Sequence, residues 1–236
     1  MKNLNGEWAP GEGIFETIRV EDGQVFALHR HHCRAKEAAE KLRFEIPSEE
    51  EVAQLTKEVI AATPIKLARL RWQFDKSGEI AISYSEYEEP APAELMIFDE
   101  RQKDFQLRNK SYPYKNLELL EIAKSRGFDD GLMIAPDGQF TESSMASVLF
   151  KVNKEWITPP LSAGILNGVV RALVIEAGLA KVKRIYIDQL AEIESVLLLS
   201  SLRNAQLVKA IDGRALKLDG EKCAEIHKLM RSYKGL

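Results

Sequence analysis

Apolar positions along this chain change their spacing repeatedly, and each change marks an element. Phe15 to Val20 and Gln24 to Leu28 read as strands, and Glu21-Asp22-Gly23 between them is a hairpin signal. His31 to Arg43 places Ala35, Ala38, Ala39 and Leu42 at helical intervals, so an amphipathic helix is expected there. Ser48 with Glu51 forms a capping-box pattern ahead of Val52, Leu55, Val59 and Ile60, which predicts a second helix. Leu67 to Phe74 and Glu79 to Tyr84 read as strands joined across Asp75-Lys76-Ser77-Gly78. A loop at Glu88 to Pro92 and a short strand at Leu95 to Phe98 follow.

Glu100 to Asp104 is polar and carries no period, so a domain boundary falls there, giving domains 1–103 and 104–236. Beyond it, helices are expected at Leu117 to Arg126, ended by Gly127, and at Val169 to Ala177, ended by Gly178. Gly131 to Ala135, Ser147 to Val152, the fully apolar Ser195 to Leu199 and Gln206 to Ile211 read as strands. Gly220 to Tyr233 reads as a closing helix. The order predicts an α+β chain, a smaller helical N-terminal domain followed by a larger strand-rich one.

Composition narrows the function classes. The net charge is −3, with Lys and Arg scattered, which argues against a nucleic-acid footprint. No apolar run approaches the roughly 18 residues of a membrane span, and the first residues lack a secretory core, so a cytoplasmic protein is expected. Cys33 and Cys223 stand far apart, with no spacing suited to a disulfide or a metal.

Several segments carry candidate chemistry. Gly13-Ile14-Phe15-Glu16-Thr17-Ile18-Arg19-Val20 is followed by His31-His32-Cys33-Arg34. Lys110-Ser111 ends the alternating run from Phe105. Thr141-Glu142-Ser143-Ser144-Met145-Ala146-Ser147 follows the Asp137-Gly138 turn. Pro159 to Arg171 contains Gly164-Ile165-Leu166-Asn167-Gly168-Val169-Val170-Arg171. Ser200-Ser201-Leu202-Arg203-Asn204-Ala205 precedes Ile211-Asp212-Gly213. Taken in this order, the segments resemble fold-type IV pyridoxal-phosphate enzymes, the class IV aminotransferase family.

The resemblance implies a two-domain fold: a smaller N-terminal α/β sandwich and a larger C-terminal pseudo-barrel. It implies pyridoxal 5'-phosphate as cofactor, a small-molecule amine substrate and a homodimer. Lys110 would bind the cofactor through its amine and move protons at the reacting carbon. Lys115 is the alternative, but Glu142 lies 32 residues after Lys110, close to the family's separation. Glu142 would keep the ring nitrogen protonated. Arg34, Ser147, Val169, Val170 and Ser201 would bind the cofactor, the two valines through N–H groups at a helix start. Ser143 and Ser147 stand where the family commonly has glycine and asparagine, and Val170 where it has threonine.

Among family members, Phe15 to Val20 most resembles 4-amino-4-deoxychorismate lyase, which forms 4-aminobenzoate and pyruvate for folate biosynthesis. On that reading Thr17 joins Lys110 as a catalytic residue, and Phe15, Arg71, Arg203 and Asn204 border the substrate. Arg69 is a further candidate for a carboxylate. An aminotransferase acting on branched-chain or D-amino acids is the alternative, and a non-catalytic vitamin-binding homologue a third reading.

Overall fold

The computed structural model of the chain describes residues 3–4, 13–98 and 114–235. These fall into two compact units, one built from residues up to 89 with 230–235, the other from 90–98 and 114–229. The expected boundary at 103/104 lies outside the described residues.

The first unit is a five-stranded sheet with two helices. Its strands are β1 (Asn3–Leu4), β2 (Gly13–Glu21), β3 (Gln24–Val25), β4 (Leu67–Asp75) and β5 (Ile80–Glu86), in the order β1-β5-β4-β2-β3. Asp22 and Gly23 both take positive φ, the geometry a two-residue hairpin turn requires. Helices α1 (Leu28–Lys41) and α2 (Glu49–Ala62) cover one sheet face. Ala35, Ala39, Val52 and Val59 pack there against Ile14, Ile18, Leu70, Trp72 and Ile82. The capping box at Ser48 and Glu51 forms as the sequence predicts. At the bottom of this core the buried Trp72 indole N–H donates to Thr56 Oγ1 at 3.0 Å.

Leu28 departs from expectation: it opens α1 rather than ending a strand. Ala27 before it is left-handed at φ 50°, and its N–H is held by the Tyr233 carbonyl at 2.8 Å. A contact from the far end of the chain therefore turns the backbone where the local pattern would continue it.

The second unit is a nine-stranded sheet, with strands β6 (Ala93–Ile97), β7 (Asp130–Ile134), β8 (Phe140–Ser143), β9 (Ser147–Val152), β10 (Glu155–Thr158), β11 (Lys181–Val182), β12 (Ile193–Ser200), β13 (Asn204–Ile211) and β14 (Arg214–Ala215). Its order is β11-β10-β9-β12-β13-β6-β7-β8, with β14 on β13. β8 ends this path, yet a turn of only three residues joins it to β9. Five strand spacings of about 4.8 Å could not be crossed so briefly on a flat sheet, so the sheet curls back on itself. The curl encloses a core of Leu95, Leu132, Phe140, Phe150, Leu198 and Val208. Helix α3 (Tyr114–Ser125) brings Leu119 and Ala123 against Met96, Phe98 and Met133. Helices α4 (Val169–Glu176) and α5 (Gly220–Arg231), with short 3-10 helices at Leu161–Ala163 and Ile187–Glu192, complete the described elements. No described helix is long and apolar enough to cross a membrane.

Candidate functional site

In the second unit the candidate residues collect at one end of the curled sheet. Glu142 sits at the end of β8 and is 4 % exposed. A carboxylate so enclosed needs donors, and the Leu166 N–H donates to its Oε2 at 3.2 Å. Arg171 supplies charge from α4. Its guanidinium is itself buried, donating to Thr158 Oγ1 at 3.2 Å and to the Pro159 carbonyl at 2.6 Å. Burial pushes the Arg171 pKa down, and the nearby Glu142 charge opposes that shift. The β10–α4 segment therefore encloses Glu142 with both an N–H and a cation.

Ser147 opens β9 and pairs in register with Leu199, so the turn carrying Ser201 and Arg203 lies at the same sheet end. Gly168 is the N-cap of α4, and no side chain caps that helix. A Cβ on Gly168 would come within 2.8 Å of Ser147 Oγ, so this backbone passes close to β9 only because it is bare. Val169 and Val170 form the first turn, whose N–H groups have no carbonyl partner inside their own helix. Bare backbone, a helix start and a serine hydroxyl make a seat for an anion.

Asn204, proposed at the substrate border, opens β13 with a left-handed φ of 54°. Its side chain is fully buried, with neither amide atom hydrogen-bonded. Arg203 points a guanidinium nitrogen to within 3.8 Å of Asp130 Oδ2. Asp130 carried no signal in the sequence. It stands in an Asp-Asp-Gly run that reads as a surface turn, yet it opens β7 and is 1 % exposed. Only its position just before a fully apolar strand could have marked it as buried.

In the first unit, Arg34 projects from α1 toward β2. Its Nε and Nη2 donate to the two oxygens of Glu16 at 2.9 and 2.5 Å, and His31 Nδ1 lies 2.6 Å from Glu16 Oε2. Glu16 and His31 are sealed from water. Strand alternation sends Phe15 and Thr17 to the other face of the sheet. There Thr17 pairs in register with Arg71, whose guanidinium lies 4.3 Å over the Phe15 ring. Arg69 pairs with Arg19 on the same face. Lys110 lies outside the described residues, and Lys115 falls in the first turn of α3.

Residues 13–211 match the model of the family described as amino-transferase class IV. A candidate aminodeoxychorismate lyase of Schizosaccharomyces pombe is 30% identical, covering 70% of this chain and 74% of its own length. A branched-chain-amino-acid aminotransferase-like protein of Arabidopsis thaliana is 24% identical over 96% of this chain, which spans 45% of that protein's length. Among solved structures, a candidate 4-amino-4-deoxychorismate lyase of Legionella pneumophila shares the fold at a TM-score of 0.85. It is 17% identical, with 98% of each chain covered. The chain belongs to the class IV aminotransferase family of pyridoxal-phosphate enzymes and has the α+β fold of that family's solved structures.

Proposed function

We propose that this chain is a 4-amino-4-deoxychorismate lyase, releasing pyruvate and leaving 4-aminobenzoate. The observation that carries the reading is the S. pombe relative, 30% identical over most of both chains. The sheet face of Phe15, Thr17 and Arg71 supports it. A guanidinium stacked on an aromatic ring beside a hydroxyl suits an unsaturated ring that bears carboxylates.

The residues present fit pyridoxal phosphate. Glu142 offers an enclosed carboxylate for a protonated ring nitrogen, and Ser147 with the Gly168–Val170 turn offers hydroxyl and N–H donors for a phosphate. Bound there, the cofactor supplies an electron-accepting ring to the carbon that carries the substrate amine. Glu142 holds a proton at the ring nitrogen, and the Arg171 cation lies close enough to interact with its charge. Lys110, assigned from the sequence, takes the proton from the amine-bearing carbon. Thr17 orients the substrate, and Arg71 and Arg203 meet its carboxylates. Arg34 is assigned to the phosphate, its guanidinium oriented by Glu16. The enzyme is proposed to work as a homodimer in the cytoplasm.

The test supplies the purified protein with enzymatically generated 4-amino-4-deoxychorismate and measures both products. Equimolar 4-aminobenzoate and pyruvate, dependent on pyridoxal phosphate, is the expected result. The A. thaliana relative favours a second reading, an aminotransferase. Under that reading neither product forms, and added amino acids convert the cofactor to its pyridoxamine form.

A further inference from the structure

The turn that follows Glu142 is built around a second carboxylate. Asp130 is 1 % exposed, and a buried carboxylate is strongly disfavoured unless donors surround it. Here they do. Asp130 Oδ1 accepts the Gly131 N–H at 2.7 Å, the Ser144 N–H at 3.1 Å and the Ser144 hydroxyl. Oδ2 accepts the Ser143 hydroxyl at 2.9 Å, with an Arg203 nitrogen at 3.8 Å. The Ser143 hydroxyl in turn accepts the Ala146 N–H at 3.0 Å, and the Ser143 N–H closes the turn onto the Ala146 carbonyl at 2.8 Å.

Every donor but two comes from residues 143 and 144, directly after Glu142. The anchor is itself fixed. A Cβ on Gly131 would lie 2.1 Å from the Phe98 ring, so the backbone beside Asp130 is pressed against an aromatic wall and cannot slide. Asn116 holds the turn from outside, its side-chain amide donating to the Ser144 carbonyl at 2.7 Å.

A neutral turn would be cheaper to bury. A charge held by converging donors selects one backbone geometry at some cost in stability, which is worthwhile where a neighbouring group must be aimed. The neighbouring group with chemistry is Glu142. We propose that Asp130 is a positioning residue that fixes the aim of Glu142 through the Ser143-Ser144 turn and links it to Arg203. The inference rests on Glu142 serving the cofactor's ring nitrogen.

The test compares holoenzyme preparations of Asp130→Asn, Ser144→Ala and Glu142→Gln with the parent, following kcat, KM, cofactor affinity and the visible absorption of the bound cofactor across pH. Glu142→Gln tests the underlying reading: an unchanged spectrum would remove Glu142 from the ring nitrogen. Given a changed Glu142→Gln spectrum, Asp130→Asn is expected to move the spectrum the same way. Its kcat should fall about tenfold or more, the scale for removing a supporting partner, with weaker cofactor binding. A parent-like spectrum and kcat in folded Asp130→Asn would overturn the inference and leave the reading of Glu142 intact. If Asp130→Asn does not fold, Ser144→Ala decides: it keeps the charge and removes one donor, so a smaller shift in the same direction supports the proposal and none refutes it.

Discussion

Two lysines, Lys110 and Lys115, compete for the covalent bond to the cofactor, and a single pair of variants separates them. The resemblance favours Lys110, which Glu142 follows by 32 residues, whereas Lys115 falls in the first turn of α3. Lys110→Ala is expected to lose the covalent adduct that borohydride reduction traps, as read by intact mass, and to lose at least about a thousandfold in activity. Lys115→Ala should keep both. The reverse pattern would transfer the role to Lys115. At this scale the sequence was most informative where one residue needs one chemistry. Glu142 and the Gly168-Val169-Val170 start could be read from their segments, and the structure gathers them with Ser147 at one sheet end. Asp130 could not be read, because what distinguishes it from a surface aspartate is a ring of donors contributed by residues a strand and a turn away.

Elements with a local cause were legible, and those with a distant one were not. The capping box starts α2, and the Asp22-Gly23 turn joins β2 to β3, because each signal lies within four residues. The sequence pattern shows no strand at β1, β8, β10, β11 or β14. Phe140 to Ser143 is buried at every position, yet three of its four residues are polar, so the sequence shows neither alternation nor an apolar run. Helix α5 carries a signal of the local kind that also makes a pH prediction. Asp219 precedes it, its Oδ1 accepting the Lys222 N–H at 3.0 Å and its Oδ2 the Lys151 ammonium at 2.8 Å. The Lys151 hydrogen bond holds the Asp219 pKa below its ordinary 3.8, and the same bond raises that of Lys151. A depressed carboxylate stabilises the fold above its unfolded pKa, and that contribution is lost as pH falls through the folded value. Asp219→Ala should therefore cost about 1 kcal/mol in urea unfolding at pH 7. The gap should narrow only below the ordinary value of 3.8. A gap that stayed constant into acid would remove the ion pair from the account.

The whole chain divides into two units with separate cores, one around Trp72 and Leu70, the other around Phe150 and Leu198. The proposed anion seat and Glu142 belong to the second unit, Arg34 and Thr17 to the first. A ligand that binds only the folded protein stabilises it by mass action, about 2.7 kcal/mol at a hundred times its dissociation constant. For a chain of this size that corresponds to a rise in Tm of roughly 5–10 °C. Pyridoxal phosphate is expected to produce such a rise. Pyridoxal at the same concentration should produce much less, because it leaves Ser147 and the α4 start without their anion. Gly168→Ala, whose new methyl would press on Ser147 Oγ, should bring the two ligands' shifts closer together. A difference between the two ligands that Gly168→Ala left unchanged would mean that the phosphate is held elsewhere. The seat at the start of α4 would then be a packing feature of a loop-to-helix junction, and Arg34 in the first unit would be the group to examine next.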